Sequence, residues 1–161
     1  MSVEQDVATL QGVPTFEVLP AEALRILAIS AEERQLKAGE VLFRIGEISD
    51  AGYVLLSGRM ELVVEQSGRR RRLCELLAGA LVGETALLIQ LPRPATARAL
   101  EASRLMRIPR TTFLRMLEGF PDAAVTLRDL FAERLQGTLS ALETVRREKL
   151  EAPVKPRARK S

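Results

Sequence analysis

The residues with the most chemical capacity lie in one stretch, Gly83 to Thr96, which reads GETALLIQLPRPAT. Arg93 offers a planar fork of donors that matches phosphate or carboxylate oxygens, each charge-assisted bond being worth ~1.5–3 kcal/mol. Glu84 offers acceptors only, suited to a hydroxyl or to pairing with Arg93 itself. A short turn over Thr85 to Leu88 would present unpaired N–H groups and a positive dipole end, and Gly83 before it lets the backbone approach closely. The combination suits an anion that also carries a hydroxyl. An arbitrary Arg–Glu pair is more often a surface ion pair, so the surroundings must decide. The rest of the composition narrows the chemistry. With no His and one Cys, Cys74, the chain has no Ser-His-Asp or Cys-His pair, no His- or Cys-rich zinc site, no iron–sulfur cage and no intrachain disulfide. A carboxylate-only or Lys-based enzyme would need a stronger signal than this sequence gives, so the expectation is a binding protein without catalytic residues, metal or cofactor.

The elements that must position this stretch are readable from periodicity. The chain has 161 residues, 47% apolar and 28% charged, the make-up of a single folded domain with a sizeable core. Residues 3–12 and 20–29 read as helices, the second opened by Pro20 and given an apolar face by Leu24, Ile26, Leu27 and Ile29. Short apolar runs follow at 41–43, 53–56, 60–64 and 73–77, punctuated by Gly39, Gly46, Gly58 and Gly68, with two more strands at 95–99 and 104–108. Such spacing marks an all-β barrel or roll. Helix returns near Thr111, breaks at Gly119-Phe120-Pro121, and restarts at Asp122 to run to about Leu150. That last helix carries Leu127, Phe131, Leu135, Leu139, Leu142 and Val145 at near-heptad spacing. The first two fit a core and the remainder a seam with a second copy, a homodimer through residues 127–146. The fold class is mainly β with flanking helices: N-terminal helices over 1–30, a β-roll of the double-stranded β-helix (jelly-roll) type over 31–110, C-terminal helices over 111–150, and a disordered basic tail over 151–161.

The Gly-Glu start, the apolar turn and the Pro-Arg-x-Ala-Thr ending of residues 83–96 resemble the phosphate-binding cassette of the cyclic nucleotide-binding domain family. Leu36-Lys-Ala-Gly39-Glu, Tyr53-Val-Leu-Leu-x-Gly58 and Leu77-x-Gly79-x-x-x-Gly83 fall in the order that family shows, so the resemblance covers roughly residues 15 to 150. It implies a catabolite activator protein-like β-roll that binds a cyclic mononucleotide, with Gly83, Glu84, Thr85, Ala86, Arg93, Pro94 and Ala95 at the ligand. Within that set, Glu84 would take the ribose 2′-hydroxyl, and Arg93 with the Ala86 N–H the phosphate. Arg134-Leu-Gln-x-Thr138 resembles that protein's long helix, which adds Thr138 as a base contact. The residue after the cassette Arg is commonly Ser, Thr or Ala, and a Thr there often accompanies cyclic GMP preference. Here it is Pro94, with neither N–H nor hydroxyl, which favours cyclic AMP over cyclic GMP and costs one donor. In the family, ligand capture moves the C-terminal helices, and that motion is the signal.

Charge and targeting complete the expectations. The net charge of +3 is unevenly spread, +5 over residues 146–161 and −2 over the remainder. A second basic knot, Arg69 to Arg72, reads as a solvated hairpin tip with its charges interleaved with a strand edge. No signal peptide or apolar run of spanning length is visible, so a cytoplasmic location is expected. Only 11 residues follow Leu150, too few for a DNA-binding domain, so the output would be an unidentified partner protein or a second copy. Two other readings compete. One is a ligand-free scaffold whose cassette is disabled by Pro94. The other is a nucleic-acid binder using the tail and Arg69 to Arg72, disfavoured by the lack of stacking aromatics and of a basic recognition helix.

Overall fold

The computed structural model describes residues 3–133. Helix α1 (Val3–Gln11), a 3₁₀ turn (Pro14–Val18) and α2 (Ala21–Ser30) precede eight strands: β1 (Glu32–Leu36), β2 (Val41–Phe43), β3 (Ala51–Ser57), β4 (Arg59–Gln66), β5 (Arg69–Leu77), β6 (Leu81–Val82), β7 (Thr96–Ala99) and β8 (Ser103–Pro109). A second 3₁₀ turn, Glu84–Leu87, lies between β6 and β7, and α3 (Arg110–Glu118) follows β8 directly. Residues 121–133 are helical again, designated α4. The strands form two antiparallel four-stranded sheets, ordered β1-β8-β3-β6 and β2-β7-β4-β5. This is the β-roll anticipated from the glycine-punctuated strands. Among the described residues no helix is long and apolar enough to cross a membrane.

The alternation along β3 and β8 explains how two cores share one sheet. Ala51, Tyr53, Leu55 and Leu105 point into the roll, where they meet Leu42, Phe43, Met60, Val82, Ala97 and Ala99. Val54, Met106 and Ile108 point the other way, onto a helical layer that contains Leu10, Phe16, Leu24, Leu27, Phe113, Leu127 and Phe131. Phe16 stacks on Phe113 with ring centroids 6.0 Å apart. Leu127 and Phe131 are therefore core residues, while Leu135 to Val145 lie outside the described part of the chain.

Two strands depart from their sequence reading. β1 is a strand although four of its five residues are exposed and none of those four is apolar. Its register against β8 places Glu33 and Glu32 where Arg104 and Arg107 meet them at 2.8 and 3.0 Å. β5 likewise extends beyond its apolar run 73–77: it begins at Arg69, so the arginines stand exposed beside the hairpin turn on an edge strand, as expected. The turn is Ser67-Gly68, both at positive φ, and Arg69 to Arg72 pair with Gln66 to Val63 in β5. Arg72 is bound into the sheet, bonding Glu61 at 2.8 Å and Glu75 at 3.3 Å.

Glu61 is the buried anion of this sheet, 3% exposed. Arg98 grips it with Nε at 3.1 Å and Nη2 at 2.6 Å, and Arg72 adds a third bond. Burial pushes its pKa up, but the bonds and charges of Arg98 and Arg72 outweigh that and hold it below the ordinary carboxylate value of 4.5. A carboxyl depressed in the folded state stabilises it fully above the unfolded pKa, and that contribution is lost as pH falls through the folded value. Glu61→Gln is thus expected to lower stability at pH 7 by ~1–3 kcal/mol. The same variant should show a smaller drop in melting temperature between pH 5 and pH 3 than the parent. A calorimetric pH series checks both; an unchanged acid slope would show that Glu61 is not the titrating group.

Candidate nucleotide-binding site

The cassette takes its shape from one backbone choice. Gly83 adopts φ 74°, ψ 45°, the left-handed conformation that strongly favours glycine, and from there the chain enters the 3₁₀ turn Glu84–Leu87. A Cβ at Gly83 would collide with Nη1 of Arg93, so the turn and the guanidinium are fitted to each other. The N–H of Thr85 precedes the first bond of the turn, which gives it no acceptor of its own. That first bond is Ala86 N–H to the Gly83 carbonyl at 3.1 Å. The Ala86 donor, expected at the phosphate, is thus shared with the turn.

Arg93 is placed by the strand-like segment around it. Its N–H donates to the Glu47 carbonyl at 2.7 Å, and its carbonyl accepts from Gly46 N–H at 2.8 Å. A trans peptide sets the following nitrogen opposite to that carbonyl, so the nitrogen of Pro94 points away from the 46–47 loop. The side chain turns inward and is 5% exposed. Its Nη2 donates to the Ala51 carbonyl at 2.8 Å, and its Cζ lies 4.1 Å from the Phe43 ring centroid and 5.8 Å from that of Tyr53. Among the described residues no carboxylate is in ion-pair contact with it. Burial, the largest influence, lowers its pKa; Tyr53, Asp50 and Glu47 push it back up, and Arg110 lowers it again. The group remains a cation, with two ring faces and a carbonyl around it.

Gly83, Glu84, Thr85, Ala86, Arg93, Pro94 and Ala95 all line one cleft of about 310 Å³, together with Phe43, Ser49, Leu62, Leu81, Leu91 and Pro92. The volume is at the small end of ligand pockets. The lining is mixed: Leu62, Leu81 and Leu91 are apolar, while Arg93, in contact with the Phe43 ring, and the Glu84–Leu87 turn supply the polar groups. The Glu84 carboxylate accepts a bond from Thr15 Oγ1, where the sequence alone suggested Arg93 as its resting partner. Thr138 lies outside the described residues. Among the described residues no cluster of three or more His, Cys, Asp or Glu is placed to hold a metal ion.

Several contributors carry no local signal in the sequence. Ser49 is 2% exposed and lines the cleft, its Oγ accepting from Leu91 N–H at 3.2 Å. Arg110, the first residue of α3, donates from Nη1 to the carbonyls of Ser49 and Ala86, at 3.1 and 3.0 Å. Together with Leu87, which is fully buried in the helical core, it ties the cassette turn to α3. These residues come from chain segments far from the cassette, and only the register of β2, β3 and β8 brings them to it.

The cyclic nucleotide-binding domain family model matches residues 33–120. The chain belongs to the cyclic nucleotide-binding domain family. The lysophospholipase nte1 of Aspergillus fumigatus is 32% identical over 120 residues, which are 74% of this chain and 8% of that protein. This domain therefore spans under a tenth of that curated relative. Among solved structures, the N-terminal domain of a transcriptional regulator from Streptomyces coelicolor is 30% identical, with TM-score 0.74, covering 83% of this chain and 94% of that one. The regulatory domain of Toxoplasma gondii PKA, in its structure with cAMP, is 27% identical, with TM-score 0.71, covering 83% of this chain and 50% of that one.

Pro94 stands where the resemblance leads to the expectation of Ser, Thr or Ala, and its role is testable. Pro94→Ser adds a backbone N–H on the side away from the 46–47 loop and a hydroxyl, against ~1 kcal/mol of lost chain restriction. The expected result is cyclic AMP binding tighter by roughly tenfold. Unchanged or weaker binding by calorimetry would show that the restriction which Pro92 and Pro94 place on the backbone of Arg93 outweighs the missing donor.

Proposed function

We propose that this domain captures a 3′,5′-cyclic mononucleotide, cyclic AMP ahead of cyclic GMP, and acts by binding rather than by turnover. The observation that carries the reading is Arg93: a guanidinium 5% exposed, facing a cleft, with no carboxylate in ion-pair contact among the described residues. A cation held that way, with no carboxylate neutralising it, offers its remaining donors to an entering phosphate. The apolar lining residues Leu62 and Leu81 suit a base, and Glu84 suits a ribose hydroxyl. The preference for cyclic AMP rests on Pro94 standing where a hydroxyl would favour cyclic GMP. That the Toxoplasma gondii relative was solved with cAMP agrees with this choice.

The signal passes to the C-terminal helices. Arg110 ties the cassette carbonyl of Ala86 to the start of α3, and Leu87 is packed in the helical core, so a shift of the turn on phosphate binding acts on the helical layer directly. A homodimer through residues 127–146 belongs to the same reading, with Leu135 to Val145 as the seam because Leu127 and Phe131 are occupied in the core. Light scattering at about 100 µM should return the dimer mass, and Leu142→Glu the monomer mass. The output partner is an unidentified protein or this second copy, and the setting is the cytoplasm, in keeping with an exposed free thiol at Cys74.

A second reading, a ligand-free scaffold, is favoured by Pro94 and by the sharing of the Ala86 N–H within the turn. Thermal unfolding separates the two. A ligand at a hundred times its Kd adds about 2.7 kcal/mol, which for a chain of this size is a rise of roughly 5–10 °C. Cyclic AMP at about a hundred times its Kd should give that rise, cyclic GMP at the same concentration a smaller one, and 5′-AMP little. No shift with either cyclic nucleotide selects the scaffold.

A further inference from the structure

We infer that Thr15 is a positioning residue for the nucleotide site: it fixes the Glu84 carboxylate in the orientation that reads the ribose. This rests on the cyclic nucleotide reading above. Thr15 stands 69 residues before Glu84 in the chain, yet its Oγ1 donates to Oε2 of that carboxylate. It is 4% exposed and Glu84 is half-buried, so the bond is partly shielded from water, and a hydroxyl–carboxylate contact is strong and directional. A carboxylate accepts at two oxygens with about four lone-pair directions, so a bond at Oε2 orients the group without exhausting it.

The position of Thr15 gives that orientation a rigid base. It lies in the 3₁₀ turn Pro14–Val18, where neighbouring Phe16 is fully buried and stacked on Phe113 of α3. Pro14 restricts the turn from one side, and Val13 and Leu19 are buried around it. The N-terminal helices thereby contribute to a site whose other residues all come from the roll. Reciprocity follows: if ordering this turn favours ribose capture, ribose capture must favour the ordered turn by the same factor.

The experiment compares cyclic AMP with 2′-deoxy cyclic AMP, by calorimetry, on the whole chain and on Thr15→Val, Thr15→Ser and Glu84→Gln. In the parent, cyclic AMP is expected to bind about tenfold tighter than the deoxy analogue, the worth of one charge-assisted bond to the 2′-hydroxyl. Thr15→Val should bring that ratio down to about two by weakening cyclic AMP alone, Thr15→Ser should keep it near ten, and Glu84→Gln should lower it as Thr15→Val does. A general packing defect would weaken both nucleotides equally and leave the ratio untouched. An unchanged ratio in Thr15→Val overturns the inference, and so does a rising one, which would mean that Thr15 competes with the ribose. If Thr15→Val does not fold, Thr15→Ala takes its place under the same criteria. A parent that binds neither nucleotide overturns the cyclic nucleotide reading itself, an outcome distinct from both.

Discussion

Arg93→Ala is expected to weaken cyclic AMP binding about a hundredfold, from two charge-assisted bonds of ~1.5 kcal/mol each. The same change should leave the melting temperature of the unliganded domain within ~4 °C. The two halves of this result belong together. The guanidinium is 5% exposed and lies 4.1 Å from the Phe43 centroid, with a single bond to the Ala51 carbonyl. Its burial is costly in the empty protein, as its lowered pKa reflects, so removing it relieves roughly what the lost bond and ring contacts cost. A residue kept for stability would behave in the opposite way, as Glu61 does in the outer sheet. Arg93→Lys separates charge from shape. It retains a cation but not the planar fork, and should recover part of the affinity, about tenfold over the alanine variant. Calorimetric titration with thermal unfolding on the same samples checks all three. Large destabilisation with unchanged affinity would place Arg93 in the architecture and outside the ligand site.

The second large effect is expected from Gly83→Ala. Left-handed backbone costs a residue with a Cβ ~1–2 kcal/mol. The new methyl would also collide with Arg93 Nη1, a group that cannot swing away cheaply because it is buried. Either the guanidinium is displaced or the turn that begins at Gly83 unwinds, and both spoil the anion site. Affinity for cyclic AMP should fall by roughly thirtyfold or more, with stability lower by ~1–2 kcal/mol. Gly39→Ala is the matched control. Gly39 also has positive φ, at 89°, but a Cβ there meets nothing within 4 Å, so it should lose stability to a similar degree and keep its affinity. Parallel loss of affinity in both variants would assign the effect to general destabilisation.

What the sequence made legible follows from which forces act locally. The roll could be read because its strands are short apolar runs closed by glycines at positive φ, and both signals are local. β1 could not, since Glu32 to Gln35 show no apolar alternation; their strand is imposed by β8 through Arg104 and Arg107. The start of β5 at Arg69 was not legible for a similar reason: four like charges show no apolar alternation, yet Glu61 and Glu75 in the sheet neutralise Arg72. In the site, Gly83, Glu84 and Arg93 were visible because they share one contiguous motif. Phe43, Ser49, Thr15 and Arg110 reach the cleft or its supports from four separate segments, and nothing in their own neighbourhoods marks them. The motif residues supply the ligand chemistry, whereas the residues found only in the structure hold that chemistry in place.

The central claim is that the cleft around Arg93 takes a cyclic mononucleotide, and a calorimetric titration of the whole protein with cyclic AMP tests it most directly. Cyclic GMP and cyclic di-GMP are run alongside. The account predicts one site per chain and a Kd of the order of micromolar for cyclic AMP, equivalent to about −8 kcal/mol, with weaker binding of the other two. No heat from either cyclic mononucleotide up to millimolar concentration, together with no melting shift, would contradict it.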